Sequence, residues 1–164
     1  MPDARRKPSD RSTRDPFVAL VRAVGYRPLT ALEASARLGK LGFDSDQVDA
    51  AIARGRDERI LDDGKLAEDY LVLRAERRLE GPRRLIRELV GRGVDESLCE
   101  SAWQRLVALG DVDEDALLTR RLDRLLAAPR SNTSNERRRV YNALLRAGFE
   151  PSAARDAVIK RDIR

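Results

Sequence analysis

A chain of 164 residues and 18.5 kDa with a net charge of +5 suits one or two compact domains or a short array of small units. It has 29 arginines and four lysines against 28 acids, no histidine and one cysteine, Cys99. That excludes a His-based triad, a His-ligated metal, a Cys-His nucleophile, a four-Cys zinc site and an internal disulfide. The 22 leucines and 21 alanines outweigh 16 Val plus Ile, so helices are favoured over strands. No apolar run approaches the ~20 residues that span a bilayer. The first 16 residues are basic and polar and lack the apolar stretch of a signal peptide, so a cytoplasmic protein is expected.

Met1–Arg14 is rich in Arg, Asp, Ser and Pro and has little to bury, which predicts a disordered tail. Asp15-Pro16 reads as an N-cap with Pro at the first helical position, and Phe17, Leu20, Val21 and Val24 follow on one helical face that Gly25 closes. Thr30 and Glu33 have capping-box spacing and open a second helix through Leu38 and Leu41. Asp44 caps a third, with Val48, Ala51 and Ile52. Asp62-Asp63 starts a longer helix carrying Leu66, Tyr70, Leu71 and Leu73, and Gly81-Pro82 breaks it. Leu85, Ile86, Leu89 and Val90 form the next face, then Leu98, Ala102, Trp103 and Leu106 after Asp95, then Leu117, Leu118, Leu122 and Leu125 after Asp113. Ala128-Pro129 to Asn135 is a turn-rich connector. The last two helices carry Val140, Tyr141, Leu144 and Leu145, then Ala154, Ala157 and Val158. No segment alternates with a period of two, so no sheet is expected.

Three short motifs line up: Gly42-Phe43-Asp44, Gly93-Val94-Asp95 and Gly148-Phe149-Glu150, at spacings of 51 and 55 residues. Leucine stands four residues before each glycine (Leu38, Leu89, Leu144) and alanine nine after it (Ala51, Ala102, Ala157). The glycine suits the left-handed turn that ends a helix, the apolar residue folds back on that helix, and the acid caps the next. Leu61-Asp62-Asp63 recurs 51 residues on as Val112-Asp113-Glu114. Such a period implies units of three helices that bury little alone and stack on their neighbours. The expected fold is therefore all-α, with three tandem three-helix repeats forming an elongated, curved molecule. One globular bundle whose helices share common caps is the alternative.

Charge is segregated. Asp44–Tyr70 has net charge −5 and Asp95–Asp115 has −6, whereas Arg74–Arg92 has +4 and Arg120–Arg146 has +6. Arg74, Arg77 and Arg78 share one helical face, as do Arg83, Arg84 and Arg87. Clustered guanidiniums can pair with carboxylates or phosphates, although a solvated face is the simpler reading of any one of them. The charge pattern names Arg74, Arg77, Arg78, Arg83, Arg84 and Arg87 as a central contact surface and Arg137, Arg138 and Arg139 as a terminal one. Tyr70, Tyr141 and Trp103 fall on apolar faces and are expected in the core, not interleaved with arginines as a single-strand stacking platform requires. Cys99 is expected as a buried small hydrophobe. Asp62-Asp63 reads as a helix cap before it reads as a metal or acid–base pair. No catalytic residue, metal or cofactor is expected.

Ile60-Leu61-Asp62-Asp63, Ala67, Tyr70 and Arg74, with Gly81-Pro82, Leu85-Ile86, Glu88-Leu89 and Gly93-Val94, resemble the middle unit of the RecX family, bacterial regulators of the RecA recombinase. Thr30 with Leu38–Gly42 resembles its first unit and Val140–Phe149 its last; Leu66 and Ala34 replace the family's usual Phe and Leu. The resemblance covers about Phe17 to Lys160. It implies three-helix repeats at residues 17–60, 61–109 and 110–164 behind a tail at 1–16. It also implies a non-enzymatic protein that lies in the groove of the RecA–DNA filament and limits filament growth, ATP turnover and strand exchange, with DNA as a further contact in that complex. A monomer with no membrane contact is expected. The competing reading is direct DNA binding by tandem modules like helix-turn-helix units.

Overall fold

The computed structural model describes residues 15–127 and 135–161. The expected tail over Met1–Arg14 and most of the expected connector after Ala127 lie outside them. The described residues form nine α-helices and no strand. They are α1 (Pro16–Tyr26), α2 (Ala31–Lys40), α3 (Ser45–Asp57), α4 (Asp63–Arg78), α5 (Pro82–Gly91), α6 (Glu96–Leu109), α7 (Glu114–Ala127), α8 (Glu136–Arg146) and α9 (Pro151–Lys160). The chain divides into two compact units, residues 1–66 and 67–164, with the division inside α4.

In the first unit, local sequence sets each helix start. The Asp15 carboxylate accepts the Phe17 N–H at 2.8 Å ahead of Pro16. Thr30 and Glu33 make a reciprocal capping box, with both bonds at 3.1 Å. Asp44 and Gln47 make a second. Helix α1 packs on α3 and α2, and α2 on α3, around Leu20, Ala34, Leu38, Val48, Ala51, Ile52 and Leu61. Each such aliphatic side chain contributes about 1.5–3 kcal/mol through burial. Gly55 lets α1 come close, since a Cβ there would lie 2.8 Å from Leu20 Cδ2. Asp63 reaches back to accept the Ala31 N–H at 2.9 Å, so the acid pair at 62 and 63 serves two helix starts, Asp62 taking the Lys65 N–H at 2.8 Å. Arg54 lies 3.7 Å above the Phe17 ring, a cation–π contact between α3 and α1.

In the second unit, α5 packs on α6, and α7, α8 and α9 pack on one another. The core holds Leu71, Leu85, Leu89, Cys99, Trp103, Leu117, Leu122, Val140, Leu144 and Val158, all buried. The Trp103 indole N–H donates to Glu114, tying α6 to α7. Arg105 pairs with Glu68 and Arg120 with Glu76, tying α6 and α7 to α4. The turn after α4 meets the turn between α8 and α9 backbone to backbone: the Gly81 N–H donates to the Ala147 carbonyl at 2.8 Å and the Arg83 N–H to the Gly148 carbonyl at 3.1 Å.

The three aligned glycines adopt the same left-handed backbone, with φ of 92° at Gly42, 90° at Gly93 and 94° at Gly148. The next residue donates back to the leucine carbonyl five positions earlier each time: Phe43 to Leu38 at 3.4 Å, Val94 to Leu89 at 3.1 Å, Phe149 to Leu144 at 3.2 Å. This is a Schellman ending. A second pair of turns also matches: the Ile60 and Leu61 N–H groups converge on the Gly55 carbonyl, as those of Asp111 and Val112 do on the Leu106 carbonyl, 51 positions on.

Two local expectations need correction. Gly25 does not close α1, which runs on to Tyr26 and ends at an extended Arg27. Glu150 occupies an N-cap position without a side-chain cap bond. Its carboxylate turns to Arg83 instead, at 3.7 Å.

Candidate partner-binding surface

Helices α4 and α5 place the central arginines, and their outward faces are unequal. Arg77 and Arg78 are exposed on α4; Arg83 and Arg87, four apart, are exposed on α5. Arg77 and Arg87 have no ion pair among the described residues. Arg74 is half-buried, with its guanidinium 5.1 Å from the centre of the Tyr70 ring. Arg92, at the end of α5, approaches the same ring at 5.6 Å.

Tyr70 is thus not a core residue. Its hydroxyl donates to Glu88 at 2.6 Å, and Arg84 donates to the other oxygen of that carboxylate at 3.1 Å. Burial and the bond to Glu88 push the Tyr70 phenol above its ordinary value. The Tyr70 hydroxyl, supported by Arg84, holds the Glu88 carboxyl below its usual range against the opposing effect of burial. The outcome is a charged lattice across α4 and α5 that orders Arg74 and Arg92 over an aromatic face.

Arg84 belongs inside that lattice and not to a free contact surface. Its Nε lies 3.2 Å from Glu80 and 3.1 Å from Glu88, and Nη1 reaches the Arg146 carbonyl at 3.5 Å. The Glu80 side chain is only 8% exposed, so Arg84 is the cation that makes its burial tolerable. The outward pair Arg83 and Arg87 lines a cleft of about 360 Å³ with Ile86 and Val90, faced by Glu96, Glu100 and Glu150. The central surface therefore carries both signs, which net charge along the chain did not reveal.

The terminal arginines lie in the first turn of α8. Arg137, Arg138 and Arg139 are all exposed, and Arg139 pairs with Glu136 at 3.3 Å. Arg137 and Arg138 turn into a groove of about 550 Å³ with Tyr141, Val158 and Ile159, where Arg155 of α9 joins them. Tyr141 is half-buried in that wall, a second tyrosine set among arginines rather than in the core. Trp103 and Cys99 are buried as expected. Arg155 was missed because it stands alone in its stretch of sequence, and only the packing of α9 on α8 brings it to Arg137 and Arg138. Arg92 was missed as a partner of Tyr70 for the same reason.

Among the described residues no group of three or more Cys, Asp or Glu could hold a metal ion, and no helix is long and apolar enough to cross a membrane.

No family model matches the chain. It is 30% identical over 127 residues to "Regulatory protein RecX" of Corynebacterium efficiens, which covers 76% of this chain and 60% of that protein. It is also 30% identical over 104 residues to the protein of the same name from Cronobacter sakazakii, covering 63% of this chain and 60% of that one. The chain thus spans 60% of the length of each relative. The crystal structure of RecX from Lactobacillus salivarius superimposes with a TM-score of 0.70 over 89% of this chain and 93% of that one, at 21% identity. A second crystal structure of regulatory protein RecX gives 0.75 over 84% and 68%, at 18% identity. Sequence likeness to two regulators and a shared all-helical fold agree with the residues around Leu61-Asp62-Asp63 and Gly81-Pro82 in their similarity to the RecX family.

Proposed function

We propose that this protein is a non-enzymatic regulator that binds the RecA–DNA filament, lies in its helical groove and restrains ATP turnover, filament extension and strand exchange. The observation that carries this reading is the set of exposed arginines on a RecX-like fold that no carboxylate among the described residues engages: Arg77, Arg87 and Arg138. They differ from Arg84, whose charge is used within the chain. Regulation follows from differential binding, because contacts that favour one filament state bias its assembly. The recurring turns at Gly42, Gly93 and Gly148 support a division into three tandem three-helix repeats, a form that suits a repeating polymer.

Binding is to be measured against single-stranded DNA, RecA and the RecA–DNA filament, together with filament ATPase and strand exchange. The reading expects preference for the filament and loss of inhibition in Arg77→Glu/Arg87→Glu, with Arg83→Glu adding to the loss. Tight, salt-dependent binding to DNA without RecA, at an affinity equal to that for the filament, would instead make this a direct DNA-binding protein. Full inhibition by the charge-reversed variant would remove α4 and α5 from the contact.

A further inference from the structure

We propose that the groove between α8 and α9 is a docking site for an acidic peptide segment carrying an aliphatic anchor. The inference rests on the reading above, in which the α8 arginines face a partner, and it specifies that partner's chemistry at this place. Three guanidiniums line the groove, Arg137 and Arg138 from α8 and Arg155 from α9, and among the described residues no carboxylate does. Of the acids on these helices, Glu136 pairs with Arg139, and Asp156 lines a different cleft with Lys160 and Arg161. Arg138 and Arg155 are exposed and have no ion pair among the described residues.

The apolar part of the groove decides the class of ligand. Val158 is buried, but Ile159 beside it is 57% exposed and stands at the groove with the half-buried Tyr141. A branched aliphatic left open to water beside three cations offers burial to an incoming apolar group. A nucleic-acid backbone satisfies the arginines and leaves Ile159 uncovered. A peptide alternating acidic and aliphatic side chains satisfies both at once. The volume of about 550 Å³ falls within the roughly 300–1,000 Å³ of small-ligand pockets, so the site takes an anchor and its flanking carboxylates and not a whole domain.

The probe is a fluorescent Asp/Glu-rich peptide containing two leucines, measured on the full chain against the same peptide with serines for leucines and against a labelled single-stranded oligonucleotide. Wild type is expected to bind the leucine peptide at least about tenfold more tightly than the serine peptide. Arg155→Glu and Ile159→Ser are each expected to weaken it by about tenfold or more. Both positions are exposed, and circular dichroism of each variant verifies that the fold is intact. Equal binding of the two peptides, or no effect of Ile159→Ser, overturns the aliphatic anchor. An oligonucleotide that binds more tightly than the leucine peptide and depends on Arg155 assigns the groove to nucleic acid and overturns the proposal. Filament inhibition by the same wild-type protein separates the two levels: inhibition without peptide binding sinks the groove alone, and peptide binding without inhibition sinks the regulatory reading alone.

Discussion

Gly81→Ala tests the backbone contact that joins the start of α5 to the turn between α8 and α9. Gly81 has φ of −84°, a conformation any residue accepts, so alanine costs nothing in torsion there. The obstacle is steric. A Cβ on Gly81 would lie 2.5 Å from the Gly148 carbonyl oxygen, 2.6 Å from its carbon and 2.7 Å from the Phe149 nitrogen. All three are backbone atoms, and none can rotate away. The approach is tight from the other side as well: a Cβ on Gly148 would meet Arg84 Cβ at 2.5 Å. Separation of the turns stretches the bonds from Gly81 to Ala147 and from Arg83 to Gly148. Two such bonds contribute about 1 kcal/mol each, and overpacking adds about 1–3 kcal/mol. The expected loss is therefore about 3–5 kcal/mol, a large part of the roughly 5–15 kcal/mol available to a domain. Urea titration followed by circular dichroism measures it, with Gly91→Ala as control. Gly91 ends α5 with nothing within 4 Å of a new Cβ, so alanine there should be neutral or stabilising by up to about 1 kcal/mol. If Gly81→Ala unfolds within about 0.5 kcal/mol of wild type, the close approach of these two turns is wrong.

Arg84→Ala strands the buried Glu80 carboxylate and should cost about 3 kcal/mol, whereas Arg87→Ala, on the exposed face, should stay within about 0.5 kcal/mol; equal losses in denaturation would contradict the separate roles given to these two arginines. Arg59 has φ of 55°, at the place where Gly110 stands 51 residues later with φ of 79°. Arg59→Gly should therefore raise the denaturation midpoint, by about 0.5–1 kcal/mol, and Gly110→Ala should lower it by about 1 kcal/mol. Glu88 has its carboxyl lowered in the folded state, chiefly by the Tyr70 hydroxyl. It therefore contributes stability that is complete above its unfolded value near 4.5 and is lost as the pH falls through the depressed folded value. Tyr70→Phe should destabilise at neutral pH and flatten that acid limb; parallel pH curves for the two proteins would show that the phenol does not stabilise the carboxylate.

Helix starts and stops were legible in the sequence because capping is chemistry within four residues: Asp15, Thr30, Asp44 and Asp95 each accept a backbone N–H from the first turn they precede. The leucines ahead of each glycine were legible as core for the same local reason, since a helix has one face to bury. Leu38, Leu89 and Leu144 are all at most 1% exposed. The family resemblance came from these short-range patterns together.

Tertiary packing decided the surroundings of several of the charged and aromatic side chains. Sequence places Arg83, Arg84 and Arg87 in one basic block, but a helix turns successive residues to different neighbours. Arg84 meets Glu80 and Glu88 at i, i+4 spacing, which the sequence already offers, but only packing buries the Glu80 side chain, while Arg87 faces outward. Tyr70 reads as an apolar-face residue until its hydroxyl finds Glu88 on the next helix, and Arg155 reads as a lone cation until α9 lies against α8. Capping depends on torsions near one peptide, whereas the reach of a guanidinium depends on what distant helices bring within a few ångströms of it. Local residues therefore specified the nine helices among the described residues, and only their packing buried Glu80, joined Tyr70 to Glu88 and brought Arg155 beside the arginines of α8.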